Sequence, residues 1–310
     1  LVERYGIAYH YKGRVQLFCD DKATQIVEML TEECKKSNVR FWTGTAVHDV
    51  EKSEAGFDVR TDKGIASCTS LVIATGGLSI PKIGASSFGY KIAEQFGHAV
   101  IETRPDLVPL TFTYSLSALC AELTVLSVDP TIISCGKAKF EEALLFTHRG
   151  LSGPAILQIS SFWKESTPIH INLLPKLNAL EWLKTARKTH TKKMLRTVLE
   201  ELLPARLAHG LAEVSGHDGQ MANLSDKKIS DVANILNNWT LIPAGTEGYR
   251  TAEVTLGGVD TKDISSKTFE SNLVPGLYFV GEVLDVTGYL GGFNFQWAWS
   301  SGYCCGEAVA

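Results

Sequence analysis

Three features that would assign a function at once are missing from this 310-residue sequence. It has no apolar run of the ~18 residues needed to span a bilayer, and its first residues lack the basic and apolar regions of a signal peptide. Its 30 Lys and Arg residues are outnumbered by 34 Asp and Glu residues, and no long basic block suggests binding to a phosphate backbone. We therefore expect neither a membrane nor a nucleic acid among its partners.

The seven cysteines show no C-x-x-C spacing, which argues against a zinc site or a dithiol redox centre. Most lie in apolar surroundings, where a free thiol acts as a small hydrophobic side chain. Free thiols are typical of a reducing compartment. The cysteine pattern therefore predicts a cytoplasmic protein without a metal site.

The most informative pattern that is present lies near the C-terminus. Gly276-Leu-Tyr-Phe-Val-Gly281-Glu282 has the form of an apolar strand that ends in glycine and an acid, and Gly291-Gly292-Phe293-Asn294 leads into a predicted helix over 295–309. An acidic side chain at a strand end can accept hydrogen bonds from sugar hydroxyls. Glycines at a helix N-terminus let backbone N–H groups approach a phosphate, which the helix dipole also favours.

A second apolar run ends in the same way. Leu71-Val-Ile-Ala74 reads as a strand buried on both faces, and it continues into Thr75-Gly76-Gly77. Alone, this segment is an ordinary turn after a strand. Together with Gly281-Glu282 it predicts a dinucleotide-type cofactor at the carboxyl ends of the strands of an α/β sheet.

The periodicity divides the chain into three segments. Residues 1–105 combine predicted helices at 22–37 and 88–96 with short strands, including Val39–Trp42 and Thr45–Val50. Residues 106–249 begin with strands, starting at Leu107–Tyr114, and continue with helices at 179–188, 192–203 and 229–237. This order indicates an inserted domain, a small β-barrel or sandwich with a helical lobe. Residues 250–310 return to the first pattern. We expect the first and last segments to form one domain.

Two polar clusters are catalytic candidates. His148 and Arg149, in Thr147-His-Arg-Gly150, have the side chains to move a proton and to hold an anion, but the flanking glycines equally indicate a structural turn. Arg250, close to Glu247 and Tyr249, suits either a substrate-side cluster or a hinge between domains.

Five segments spread along the chain resemble the HI0933-like (also YhiN-like or BaiN-like) family of NAD(P)/FAD-dependent flavoproteins. They are Gln16–Asp21, Leu71–Ser79, Leu145–Pro154, Thr246–Val259 and Gly276–Gly302. The resemblance implies an α/β, Rossmann-like FAD-binding domain of the two-dinucleotide type. It also implies an insert domain of β-barrel and helices, and an oxidoreductase that moves hydride between non-covalent FAD and a small molecule.

The resemblance also implies positions along the cofactor. Thr75 and Gly76, with the flanking Ala74 and Gly77, would lie along FAD, as would Gly281, while Glu282 would contact the ribityl or ribose hydroxyls. The segment Gly291–Asn294, which includes Gly292 and Phe293, would lie near the pyrophosphate and the flavin. Gly257 and Gly258 would approach the isoalloxazine ring, and the Val47 backbone would meet the adenine.

One family feature has no counterpart in the sequence. Family members begin with a G-x-G-x-x-G turn that binds the pyrophosphate, and no such motif is found here. We therefore expect a piece of a longer protein that, by itself, binds FAD weakly and is inactive. The alternative hypothesis is a non-catalytic flavin-fold remnant or a partner-binding module. NADH, NADPH and oxygen all stay open as redox partners.

Overall fold

The computed structural model describes residues 1–12 and 16–309 of a mixed α/β chain. Its strands follow in chain order: β1 (Tyr9–Lys12), β2 (Gln16–Cys19), β3 (Val47–Ser53), β4 (Gly56–Thr61), β5 (Gly64–Cys68), β6 (Leu71–Ile73), β7 (Val100–Asp106), β8 (Leu110–Thr111), β9 (Ser127–Cys135), β10 (Ala138–Thr147), β11 (Gly150–Ser152), β12 (Ile169–Asn172), β13 (Trp239–Leu241), β14 (Gly245–Thr246), β15 (Val254–Val259) and β16 (Leu277–Phe279).

The α-helices are α1 (Thr24–Lys36), α2 (Phe88–Gln95), α3 (Tyr114–Glu122), α4 (Pro154–Ser160), α5 (Ala179–Thr189), α6 (Leu195–Leu199), α7 (Ala205–Val214), α8 (Asp226–Asn238) and α9 (Phe293–Ala308). None of the helices in the described ranges is long and apolar enough to cross a membrane. The chain forms two compact units. Unit 1 contains residues 1–77, 86–102 and 257–310, and unit 2 contains residues 78–85 and 103–256.

Unit 1 contains two small sheets that bear on function. Strands β3, β4 and β5 form an antiparallel meander, and β6 pairs in parallel with β16. Phe57 and Phe279 are fully buried in its core, with Met29 at 2% exposed. The two strand-end motifs predict this parallel pair, which joins segments about 200 residues apart in the chain.

Unit 2 is built on a seven-stranded sheet in the order β13-β12-β9-β10-β11-β8-β14. Helix α4 packs on β9 and β10, and its Ile156 and Ile159 are fully buried with Ile133 and Leu144 of those strands. Burying branched apolar side chains of this size is the main term that stabilises such a layer.

A helical lobe, defined here as residues 179–238, completes unit 2. Asn178 caps α5 by accepting a hydrogen bond from the Glu181 amide, and Ser225 caps α8 in the same way. Helices α5 and α8 run antiparallel, because the Ala179 amide donates to the Asn237 side chain at one end and Arg187 reaches Asp226 at the other.

Some local predictions are wrong. Val39–Trp42 is not a strand, and its Phe41 and Trp42 are about half exposed, so the apolar run has nothing to pack on. Leu107–Tyr114 is not one strand either, because Tyr114 begins helix α3, which buries Leu119. The predicted burial of β6 on both faces is also wrong, since Val72 is 38% exposed.

The predicted position of a helix end at Pro204 is also wrong. The sequence predicts one helix over 192–203 that ends at this proline, whereas α6 ends at Leu199 and Pro204 is the N-cap of α7. Proline is suited to the start of a helix, where its missing N–H is not needed. The same residue therefore marks a beginning in the structure and an end in the prediction.

Candidate cofactor-binding site

The two strand-end motifs come together at one edge of the parallel pair. Leu277, Tyr278 and Phe279 lie in register with Leu71, Val72 and Ile73. The Val280 amide donates to the Ile73 carbonyl at 3.1 Å. Because parallel strands end at the same edge, residues 74–77 and 280–283 leave the sheet side by side. We call this region the carboxyl edge, and it is where open α/β sheets bind ligands.

Gly281 makes the turn at this edge and is fixed by helix α9. Its φ of 73° lies in the left-handed region, which favours glycine. Its amide donates a hydrogen bond to the buried Ser301 Oγ at 3.0 Å, so it is already used within the protein. Its carbonyl accepts a hydrogen bond from Trp297 Nε1 at 3.0 Å. Gly281 therefore fixes the backbone that leads into Glu282, which is half-buried.

Thr75 is held at the edge by a glycine that sequence reasoning missed. A β-carbon at Gly89, in the first turn of α2, would overlap Thr75 Oγ1 and would lie 3.0 Å from Val283. Only glycine therefore lets the start of α2 approach both strand ends. The signal in the sequence was the Phe-Gly-Tyr start of a predicted helix, where a glycine is otherwise unfavourable.

Gly257 and Gly258 line the same edge from strand β15. Their φ values are 85° and 135°. A β-carbon at Gly257 would overlap the Glu102 carbonyl, and one at Gly258 would lie 2.7 Å from the Val283 carbonyl. Both glycines are therefore required by the close approach of three backbone segments, and this packing places Gly258 against the residues that follow Glu282.

The loop before α9 is closed by Asn294. Its Oδ1 accepts from the Gly288 amide at 2.8 Å, and its Nδ2 donates to the Gly288 carbonyl at 2.9 Å. The paired bonds hold residues 288–294 as a compact turn. Asn294 therefore shapes the segment that precedes the helix, and its side chain is engaged in that task.

We predict that Asn294→Ala lowers the free energy of unfolding by about 1–3 kcal/mol, since it removes two hydrogen bonds worth ~0.5–1.5 kcal/mol each. Urea unfolding measures the difference. The matched control is Gln296→Ala, which removes an exposed i to i+4 contact with Ser300 and is expected to cost less than about 0.5 kcal/mol. Equal losses for the two variants would contradict the role of Asn294.

Two glycines leave bare backbone, one at the carboxyl edge and one at the start of α9. Gly76 and Gly292 have φ values of 69° and 87°, and a β-carbon on either would meet no atom within 4 Å. Gly292 is the N-cap of α9, so the first amides of that helix have no partner within it. Phe293 is 60% exposed beside them. Exposed amides at the N-terminus of a 16-residue helix are the kind of group that binds phosphate.

The edge also carries a carboxyl group that sequence reasoning missed. Burial raises the pKa of Asp285, the neighbouring Asp260 carboxylate raises it further, and the Gly257 amide lowers it. Asp285 is tied to the edge, because its amide donates to the Val259 carbonyl at 2.9 Å. The spacing Glu282-x-x-Asp285 after the strand was the available signal.

The remaining predicted residues lie elsewhere. Val47 begins β3, is 40% exposed and pairs with Thr61. His148 and Arg149 are exposed in the β10–β11 turn, where Thr147 Oγ1 accepts from the Gly150 amide. Arg250 is exposed in a second turn. Those three belong to unit 2, whereas the carboxyl edge belongs to unit 1.

Metal chemistry gains no support from the described residues, among which no group of three or more His, Cys, Asp or Glu side chains could hold an ion. All seven cysteines are free thiols.

The sequence was compared with known proteins. The sequence profile described as HI0933-like protein Rossmann domain matches residues 1–308. A ribosomal RNA dihydrouridine synthase of Escherichia coli K12 is 49% identical over 312 residues, which cover 99% of this chain and 77% of that protein. The protein of that name from Haemophilus influenzae Rd is 49% identical over 316 residues, covering 100% and 78%.

A more distant relative is named 3-dehydro-bile acid delta(4,6)-reductase, from Clostridium scindens. It is 30% identical over 304 residues, which cover 94% of this chain and 74% of that protein. The two names at 49% identity overturn two expectations. The expected small-molecule substrate is wrong, and so is the exclusion of nucleic acid as a partner. The relatives are named as enzymes, which supports enzymatic function over the alternative of a non-catalytic remnant.

Proposed function

The chain belongs to the HI0933-like family, and on that premise we propose that it is a flavin-dependent enzyme that reduces uridine in ribosomal RNA to dihydrouridine. The observation that carries the proposal is 49% identity, over 99–100% of the chain, to two proteins named for that reaction. The name of the third relative also denotes a reduction. Transfer of hydrogen to the substrate is thus common to all three names.

The reaction adds one hydride and one proton to uridine. Dihydrouridine carries two more hydrogens than uridine, across the C5–C6 double bond that is conjugated with the C4 carbonyl. One is added as hydride and the other as a proton. FAD, when bound and reduced, supplies the hydride, and NADH or NADPH supplies the electron pair. The protein has to hold the cofactor, keep the reacting face dry and hold or deliver a proton.

The carboxyl edge has the parts to hold FAD. We propose that Glu282 accepts hydrogen bonds from ribityl or ribose hydroxyls, and that Gly292 with the first turn of α9 binds the pyrophosphate. The open backbone at Gly76 supports close contact with the cofactor. Gly257 and Gly258 would present backbone to the ring, since side chains there are sterically excluded.

The other predicted site residues are assigned to the cofactor or to the RNA one by one. Ala74, Thr75 and Gly77 would line the edge, and the Val47 backbone would meet the adenine. We propose His148, Arg149 and Arg250 as candidates for RNA contact, because their exposed cationic or titratable side chains suit phosphate binding or proton delivery.

For the fold we propose that unit 1 is the FAD-binding domain and that the sheet of unit 2 curls into a barrel. The two outermost strands, β13 and β14, are separated only by residues 242–244. That link spans at most ~14 Å, whereas seven flat strands would be ~29 Å wide. A strongly curved sheet satisfies both lengths.

A ribosomal substrate also favours a cytoplasmic location, which agrees with the seven free thiols.

The proposal predicts that ribosomal RNA re-oxidises the reduced flavin. Protein in excess over FAD, so that the flavin is bound, is reduced under anaerobic conditions by one equivalent of NADPH per flavin. Unmodified ribosomal RNA transcript is then added, with no reductant left over. We expect the yellow flavin absorbance to return. A DNA of the same sequence with thymine in place of uracil is the control. Re-oxidation by small enones but never by RNA would contradict the proposal.

A further inference from the structure

The helical lobe carries the densest basic segment of the chain. Between Lys184 and Arg196 there are six Lys or Arg residues and no Asp or Glu, and no other window of this length holds as many. The chain as a whole has a net charge of −4, so its average charge repels RNA. Binding to a phosphate backbone therefore requires a local concentration of positive charge, and this segment is the strongest one available.

Several of these charges are neutralised within the lobe. Arg187 pairs with Asp226 at 2.6 Å, Lys193 pairs with Glu201 at 2.9 Å, and the other paired members are Lys184 with Glu181 and Arg196 with Asp218. Arg187 joins α5 to α8, whereas Lys184 pairs within α5. The contribution of all four paired cations to ligand binding is reduced.

Four lysines lack such partners. Lys188 and Lys192 belong to the segment itself, and Lys227 and Lys228 lie in the first turn of α8. All four are exposed, and none has an ion-pair partner within residues 1–12 and 16–309. A flexible, unpaired ammonium group on the surface is the form in which lysine binds phosphate as a point charge.

The fold brings these four lysines to one end of the lobe. Arg187, beside Lys188, donates to the Leu224 carbonyl at 2.8 Å and to Asp226, beside Lys227. The Ala222 amide donates to the Thr191 carbonyl at 3.0 Å, which places Lys192 next to the segment entering α8. We call Lys188, Lys192, Lys227 and Lys228 the basic end of the lobe.

We infer that the basic end of the lobe binds the phosphate backbone of the RNA substrate, an inference that rests on the proposed function. Its lysines would position the RNA without reading its sequence, as phosphate contacts do. Choice of the uridine is left to the cofactor site. This arrangement assigns substrate capture to a surface of unit 2 that none of the predicted site residues occupies.

Salt-dependent binding of a fluorescent RNA stem-loop to the FAD-loaded protein tests the inference. In the test variant the four lysines of the basic end are replaced by Gln. We expect roughly tenfold or greater loss of affinity at about 0.1 M salt, and a salt slope of log affinity that is smaller by about 3, since each phosphate contact contributes ~0.7–0.9. Replacement of the same four lysines by Arg is expected to keep both values.

The matched control removes the same charge from another part of unit 2. Lys137, Lys139, Lys164 and Lys176 are also exposed and are replaced by Gln together. We expect a change in affinity below about twofold, because salt screens charges that lie away from the RNA. Equal weakening of the two variants, or unchanged binding by the test variant, would overturn the inference while RNA binding itself stands. Failure of the unmodified protein to bind RNA would overturn the proposed function as well.

Discussion

Gly257→Ala is expected to lower the free energy of unfolding by about 2–5 kcal/mol. The alanine would have to adopt a φ near 85°, which costs ~1–2 kcal/mol in the left-handed region. Its β-carbon would also overlap the backbone of Glu102, and such overpacking costs ~1–3 kcal/mol. Because total stabilities are about 5–15 kcal/mol, chemical denaturation should show a large shift of the midpoint.

The control for this prediction separates steric overlap from backbone strain. Gly44 has a φ of 59°, and a β-carbon there would meet nothing within 4 Å. Gly44→Ala should therefore cost only the strain, about 1–2 kcal/mol. If Gly257→Ala is no worse than Gly44→Ala, strands β7 and β15 do not approach each other as described at this position.

Glu282→Ala is expected to weaken FAD binding by about 1.5–3 kcal/mol, the range for a hydrogen bond to a charged group. That corresponds to roughly a ten- to 150-fold higher dissociation constant. The reason is its position: Glu282 lies at the carboxyl edge, directly after Gly281, whose backbone is bonded to Ser301 and Trp297 of α9. Titration of the apoprotein with FAD, followed by flavin fluorescence, measures the change.

A second acid supplies the comparison for Glu282. Glu307 lies near the end of α9 and is exposed. Glu307→Ala should leave the FAD dissociation constant unchanged within about twofold, since a screened surface charge contributes little. An unchanged constant for Glu282→Ala would return Glu282 to the role of a solvated loop acid and would remove the sugar contact from the proposed site.

The strand-end motifs were predictable because their chemistry is local. An apolar run that ends in Gly281-Glu282 or Thr75-Gly76-Gly77 specifies a buried strand followed by a tight turn, and two such strands in an α/β chain are expected in parallel. Gly89 and Asp285 were not predictable in the same way. Their importance comes from what packs against them, Thr75 in one case and Gly257 in the other. The signals at these positions, a glycine at a helix start and an acid three residues after Glu282, do not identify those neighbours.

The exclusion of nucleic acid on the basis of charge was wrong, and the distribution of the lysines gives a physical reason. The basic residues between Lys184 and Arg196 are interleaved with Thr, Ala, Leu and His, so they do not read as a block. The lysines of α8 are about 40 residues away in sequence, and only the packing of α5 against α8 brings them to the same end. A net charge of −4 gives no indication of a small surface with locally positive charge.

Val39–Trp42 shows the opposite error. β-Branched and aromatic residues there satisfy the local preference for a strand, but strand stability comes from packing against paired neighbours. No described strand pairs with this segment, and local propensity alone therefore misassigned it.

The most direct test of the proposed function is mass spectrometry of the RNA product. The protein with excess FAD and NADPH is incubated with unmodified ribosomal RNA transcript, and the digested nucleosides are compared with those from a reaction without NADPH. The proposal predicts a nucleoside heavier than uridine by two hydrogens, at a defined position in the transcript and dependent on NADPH or NADH. Ribosomal RNA that shows no dihydrouridine, in a reaction where the flavin is fully reduced, would contradict it.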